Sequence, residues 1–239
     1  MTYIDIETVS RFPDYESADV RTQELFHQKM IMEPSIQSVP MIDGLRDTRE
    51  AISKLYEQKA ALFAEFNQVV CVSFGAVMPR KAQMDGSVSD EYIALMSIIN
   101  TDEHQLLLDV AESLKKSHSL CAHYGKGFDF PVLSRKFIIH GIPIPALLDN
   151  SSKKPWEIPL VDTADLWKFG DLRHSASLDL LTHCFGLPSP KEGMHGADVG
   201  RVYHSEGESS LIKIARYCEG DVRALINVHR RINGQPAIL

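Results

Sequence analysis

The sequence predicts a mixed α/β fold with its strands concentrated in the first half, and three observations carry that reading. Apolar, β-branched runs at residues 3–6, 69–78 and 119–123 read as strands. Helical spacing dominates the second half. The chain's 239 residues, 44% of them hydrophobic, suffice for one large domain with a buried core. No repeat, low-complexity tract or linker interrupts it, so residues 1–239 are expected to form a single domain.

Element by element, residues 3–6 (Tyr-Ile-Asp-Ile) form a short strand ending at an acidic pair. Residues 10–48 contain Pro13, Pro34, Pro40 and Gly44 without clear periodicity, which predicts an irregular segment, either a functional loop or a flexible one. Helical spacing over 50–66 runs through Ile52, Leu55, Ala60 and Phe63. Residues 69–78 form a strand, polar residues 79–89 with Gly86 a hairpin loop, and residues 91–99 the returning strand. Thr101 is the expected N-cap of a helix reaching about Lys116, with Leu106, Leu107, Val110 and Leu114 on one face. After the strand at 119–123, residues 130–140 form a helix stopped by Gly141 and Pro143. Residues 158–166 hold an apolar strand or turn. Ser177 caps a helix that Gly186 ends, and 187–197 is a Gly- and Pro-rich loop. Residues 197–204 form a short helix with Asp198 as N-cap. Ser209 or Ser210 caps a last long helix through Ile212, Ala215, Cys218, Val222, Leu225 and Val228.

The formal net charge of −7 argues against the basic face on which non-specific nucleic-acid binding usually rests. A metal-dependent nuclease is the exception, because part of its negative charge sits in ligands and bound cations reverse the local field. Phosphate would then need basic neighbours. Lys126, Arg135, Lys136, Lys153, Lys154, Lys168 and Arg173 are candidates, each more simply read as a solvated charge. No apolar stretch is long enough to span a bilayer. Met1 is followed almost at once by Asp5, without the basic start and apolar core of a signal peptide, so a cytoplasmic location and no membrane partner are expected. Cys71, Cys121, Cys184 and Cys218 form no Cys-x-x-Cys pair and sit among apolar neighbours. They read as small buried hydrophobes rather than a zinc site. None of the ten histidines has ligand spacing with another.

Three weak motifs occur in a fixed order. Asp5 and Glu7 alternate on a strand, so both carboxylates face the same way, inside an apolar run where an unpaired charge is costly. Asp129 follows the turn Gly125-Lys126-Gly127 and opens a helix, where it is either a dipole-stabilised N-terminal acid or a metal ligand. Tyr217 and Asp221 lie one helical turn apart on one face. Hard oxygen donors gathered from distant segments suit divalent cations, and two such cations can drive phosphodiester hydrolysis. Asp162 and Asp165, before Trp167, either tune such a site from outside or serve as caps and surface charges.

This set resembles the three motifs of the DEDD superfamily of 3′–5′ exonucleases, in the tyrosine-type variant. More closely, the chain resembles predicted exonucleases related to the proofreading domain of family B DNA polymerases. The stretches His-Tyr-Gly-Lys-Gly-Phe-Asp-Phe-Pro-Val-Leu, Val-Asp-Thr-Ala-Asp-Leu-Trp-Lys-Phe-Gly, Ala-Ser-Leu-Asp-Leu-Leu and Leu-Pro-Ser-Pro-Lys share the likeness, which covers nearly the whole chain and is least clear over 10–48. Arg216 stands where a histidine-type member would carry histidine, so the tyrosine type fits.

The resemblance implies an RNase H-like fold, a central mixed β-sheet flanked by α-helices. It implies two Mg2+ or Mn2+ ions held by Asp5, Glu7, Asp129 and Asp221, with Tyr217 positioning the attacking water. The implied reaction removes nucleoside 5′-monophosphates from 3′ ends of single-stranded DNA or RNA, DNA favoured. DNA repair is one setting for it, with any proofreading in trans. Thr8, Tyr124, Lys126 and Phe128 become candidate substrate contacts. Many relatives carry asparagine where Tyr124 stands, and a phenol cannot copy an amide's paired donor and acceptor, although it can stack on a base. The alternative is a catalytically weak nucleic-acid-binding module of the same fold. The oligomeric state is left open.

Overall fold

At the centre of a five-stranded mixed sheet lies β1 (Thr2–Ser10), paired antiparallel to β2 (Asn67–Pro79) and parallel to β4 (Leu120–Ala122). Outside these run β3 (Glu91–Ile99), antiparallel to β2, and β5 (Leu160–Asp162), parallel to β4, giving the order β3-β2-β1-β4-β5. The computed structural model describes residues 1–41, 47–79, 91–154, 157–171, 173–191 and 193–238. The expected hairpin loop over 79–89 lies, beyond Pro79, outside the described residues.

Two helical layers cover the sheet. On one face Ile4, Ile6, Val72 and Phe74 pack against α4 (Glu103–Leu114) and α5 (Asp129–Ile139) through Leu106, Leu107, Val110, Leu133 and Phe137. On the other, Val9, Val70 and Cys71 meet α8 (Gly196–Glu206) and α9 (Leu211–Ile232), while Tyr3 and Cys121 meet α9 alone. Alternation along β1 thus sends Ile4 and Ile6 one way and Tyr3, Asp5, Glu7 and Val9 the other. In β2 the alternation breaks. The register slips between Glu7 and Thr8, so Val70 is extra, and the consecutive residues Val70 and Cys71 both face the α8–α9 layer. This is a β-bulge beside the acidic pair.

Gly75 of β2 lies under α9. A Cβ there would meet Val222 Cγ1 at 2.5 Å and Ile226 Cδ1 at 2.9 Å. Gly75→Ala is therefore expected to cost about 1–3 kcal/mol through overpacking. A fall in the urea midpoint at unchanged m-value would show it.

Several expectations are corrected. β1 does not end at the acidic pair but runs nine residues to Ser10, because Thr8, Val9 and Ser10 keep pairing with β2. Residues 10–48 are not irregular throughout. Asp19 accepts the Thr22 N–H at 2.9 Å and caps α1 (Val20–Met30), and α2 (Pro34–Gln37) follows. Only Phe26, Met30 and Ile36 of these helices are buried, against Tyr56 and Leu55 of α3 (Arg49–Lys59), too few apolar positions for a visible period. The cap of α4 is Asp102, not Thr101; its carboxylate accepts the N–H of His104 at 2.9 Å. Asp198 is not the N-cap of α8. The cap is His195, whose N–H Asp198 accepts from the third helical position, at 3.2 Å. Neither Ser209 nor Ser210 caps α9 by side chain: a 3₁₀ turn (Gly207–Ser210) leads into it, and the Ser210 hydroxyl donates to the Gly207 carbonyl. Ser177 does cap α7 (Leu178–Cys184), accepting the Leu180 N–H. Residues 158–166 resolve into β5 and the start of α6 (Thr163–Lys168). Cys184 is exposed, unlike the other three cysteines. Lys136 is not a surface phosphate partner. It is buried, pairs with Glu103 at 3.1 Å and donates to the Asn67 carbonyl.

Candidate active site

The site follows from where β4 stops. It pairs with β1 only at Thr2 and Tyr3 and ends at Ala122, so the β1 edge beyond is open. The chain turns there through residues 123–128 and starts α5 at Asp129, which lines one cavity with Asp5, Ile6 and Glu7 of β1. An acid thus stands beside the open edge of the strand that carries Asp5 and Glu7. From the other layer, α9 brings Asp221. These four acids line one cavity of about 440 Å3, together with Leu62, His123, Tyr124, Gly127 and Phe128.

Glu7 is 8% and Asp129 4% exposed. Among the described residues none of the four acids has an ion-pair partner, and the Glu7 carboxylate accepts no hydrogen bond. Burial pushes Asp5 and Glu7 well above the carboxylate range. Repulsion adds to it, from Asp129 and Asp221 on Asp5, and from Asp5 and Asp221 on Glu7. Asp129 is raised to about 7, chiefly by burial, against the help of its backbone hydrogen bonds. Asp221 is raised to about 6 by burial, opposed by the Tyr217 hydroxyl and by Lys191. Burial and then the Asp221 charge hold the Tyr217 phenol neutral. Four acids kept crowded and uncompensated fit divalent cations, whose charge would relieve both burial and repulsion.

The remaining candidates divide. Tyr124 and Phe128 line the acidic cavity. Tyr217, one helical turn from Asp221, acts on that acid electrostatically, and lines a neighbouring groove of about 900 Å3 that contains none of the acids. That groove is the larger, but the acids, not size, mark the chemistry. Thr8 turns away, its hydroxyl donating to the Ala61 carbonyl at 2.7 Å. Lys126 stands at the rim, paired with Asp165 at 3.3 Å. Lys168 shares Asp165 at 2.9 Å.

One feature was missed in the sequence, and one that it named does more than expected. The Cys218 thiol donates to Asp5 Oδ2 at 3.3 Å, and donor atoms of Asp5, Glu7 and Cys218 all lie within 4.8 Å of one another. Its signal was its place three residues before Asp221 on the same helix face. The second is Asp162, 3% exposed, which proves to be a cap and more. Its carboxylate accepts the N–H of Ala164 at 2.9 Å, capping α6, and those of Tyr124 at 2.8 Å and Lys126 at 3.0 Å. It therefore fixes the turn leading to Asp129, in which Tyr124 adopts a left-handed φ of 60°. Asp162→Ala strands three donors and is expected to cost about 3 kcal/mol or more. Chemical unfolding checks this, with Asp162→Asn retaining part of the stability.

A family model described as a predicted 3′–5′ exonuclease related to the exonuclease domain of PolB matches residues 62–233. Asp129, Tyr217 and Asp221 fall inside that stretch; Asp5 and Glu7 precede it and reach the cavity on β1. No curated protein matches the chain. Among solved structures, the family B DNA polymerase from the hyperthermophilic archaeon Pyrobaculum calidifontis is similar over 97% of this chain, at 13% identity and a TM-score of 0.55. The chain spans 24% of that polymerase's length. At this identity the likeness speaks for the fold: a mixed five-stranded sheet between helices, the expected RNase H-like α/β arrangement. Among the described residues no helix is long and apolar enough to cross a membrane.

Proposed function

The chain belongs to the family of predicted 3′–5′ exonucleases related to the exonuclease domain of PolB, and on that premise we propose that it shortens single-stranded nucleic acid, DNA in preference to RNA, from the 3′ end. The products are nucleoside 5′-monophosphates, and residues 1–239 act as one exonuclease domain in the cytoplasm. The observation that carries the reading is the meeting of Asp5, Glu7, Asp129 and Asp221 in one cavity with, among the described residues, no ion pair to any of them.

Asp5, Glu7, Asp129 and Asp221 would hold two Mg2+ or Mn2+ ions. When bound, these supply a water of lowered pKa and stabilise charge on the attacking and leaving oxygens. The protein's own part is positional. Tyr217 stays neutral beside Asp221, one turn away on α9, and would orient a water for attack. Asp162 keeps the 124–126 turn in place, so the wall that receives the terminal nucleotide is set before substrate arrives. Tyr124 and Phe128 on that wall would contact the terminal nucleotide. Lys126 at the rim is the nearest candidate for a phosphate.

The test is cleavage of matched 5′-labelled single-stranded DNA and RNA oligonucleotides with Mg2+, Mn2+ or EDTA. A metal-dependent ladder growing shorter from the 3′ end supports the reading. No shortening in any metal sinks it and leaves a nucleic-acid-binding module, with Tyr124 the first residue to replace by asparagine.

A further inference from the structure

Among the described residues, two besides glycine have positive φ: Tyr124 at 60° and Phe169 at 45°. Both are aromatic and both are exposed, by 57% and 83%. A bulky side chain is strained in this conformation, which favours glycine or asparagine. An aromatic ring left in water also forgoes its hydrophobic gain. Strain of this kind persists where the surroundings enforce it, and concentrates at ligand sites.

The surroundings here join the two residues. Asp162 accepts the N–H of Tyr124 and, with the same Oδ1, caps α6. That helix runs about 9 Å and ends at its C-cap, Phe169. Lys126 on the Tyr124 turn and Lys168, the residue before Phe169, share Asp165 at 3.3 and 2.9 Å, two ammonium groups on one carboxylate. Lys168 is held in its charged form chiefly by Asp165. The Tyr124 ring lies over Gly127 so closely that a Cβ there would sit 2.7 Å from it, while Trp167 meets Phe169 edge-on at 6.4 Å. The strip begins at the acidic cavity, which Tyr124 lines.

We propose that Tyr124 and Phe169 are successive base-stacking platforms for a single strand, with Lys126 and Lys168 taking its phosphates between them. The strand upstream of the 3′-terminal nucleotide would leave the cavity over Tyr124 and cross α6 to Phe169. This rests on the exonuclease reading for the strand's polarity. Alternating aromatic faces and cations suit single strands of any sequence, because every base has a π-face. They do not suit a duplex, whose bases are already stacked.

The test is binding, measured by fluorescence anisotropy with Ca2+ in place of Mg2+, of labelled octathymidylate and dithymidylate to the full chain and to Phe169→Ala and Phe169→Trp. Phe169→Ala is expected to weaken the longer strand roughly tenfold to hundredfold. It should leave the dinucleotide unchanged, and Phe169→Trp should restore binding. A 2-aminopurine base placed upstream of the 3′ end should be quenched by the wild type and not by Phe169→Ala. Because Phe169 is exposed, an unchanged melting curve will show the variant folded. Equal affinity of wild type and Phe169→Ala for the longer strand overturns the proposal, as does an equal loss on the dinucleotide or a wild type that binds no strand. If the wild type binds with the predicted Phe169 dependence yet cleaves nothing, the exonuclease reading falls and the stacking track stands.

Discussion

Replacing Asp5 by asparagine is expected to reduce cleavage by about 10³-fold and, without metal, to make the fold more stable. The two effects share a cause. Asp5 sits between the Glu7, Asp129 and Asp221 charges, and burial and repulsion together hold its carboxyl well above its ordinary range. In the metal-free protein that charge is a liability, which asparagine removes at nearly constant volume. Asparagine can still accept the Cys218 thiol proton at Oδ1, so packing survives. What it loses is a formal negative charge for cations. A merely structural aspartate would behave oppositely, its loss lowering stability and sparing turnover. Asp221→Ala should lose as much activity. Full cleavage by either variant, measured on a 5′-labelled strand with Mn2+, would falsify the assignment of these acids.

The second large effect is on pH. Asp129 is raised from 3.8 to about 7 and Asp221 from 3.8 to about 6. An acid whose pKa is higher in the folded state binds its proton more tightly there, so stability is full below the unfolded value and is lost as pH rises through the folded one. The metal-free protein should therefore lose stability between about pH 4 and pH 7, on the order of a few kcal/mol. Burial lowers the imidazole pKa of His123, His204 and His229, which slopes the other way, with stability lost as pH falls. The informative comparison is thus with Asp129→Asn, which keeps those histidines and should lack much of the decline. Mn2+ should restore stability at pH 7 and above, by about 2.7 kcal/mol at a hundredfold excess over its Kd. Differential scanning fluorimetry across pH, with and without Mn2+, reads both. A variant whose pH profile overlies that of the wild type would count against the crowded-acid account.

The parts of the site legible in the sequence were those that obey a period. Asp5 and Glu7 share a face because strands alternate, and Tyr217 and Asp221 because helices repeat every 3.6 residues. What local pattern cannot show is where a partner strand stops. The end of β4 at Ala122, which leaves the β1 edge open beside Asp129, is a property of the sheet. The bulge at Val70 was hidden for a related reason: an unbroken run, Val69 to Val72, reads as a buried strand whether or not one residue is extra. Helices α1 and α2 escaped because few of their positions are buried. Asp162 looked like one acid among several, since its importance comes from two N–H groups on another loop.

The helix that completes the cavity is also late in the sequence. Asp221 lies on α9, which packs across β1, β2 and β3, whereas Asp5 stands far earlier in the chain. Chains grow from the N-terminus and fold as they emerge. The acidic pair on β1 is therefore translated early and waits, without its fourth wall, until α9 leaves the ribosome. A stalled or prematurely terminated chain that lacks α9 carries the pair but not Asp221. The four acids are brought together in one step, the docking of a single amphipathic helix.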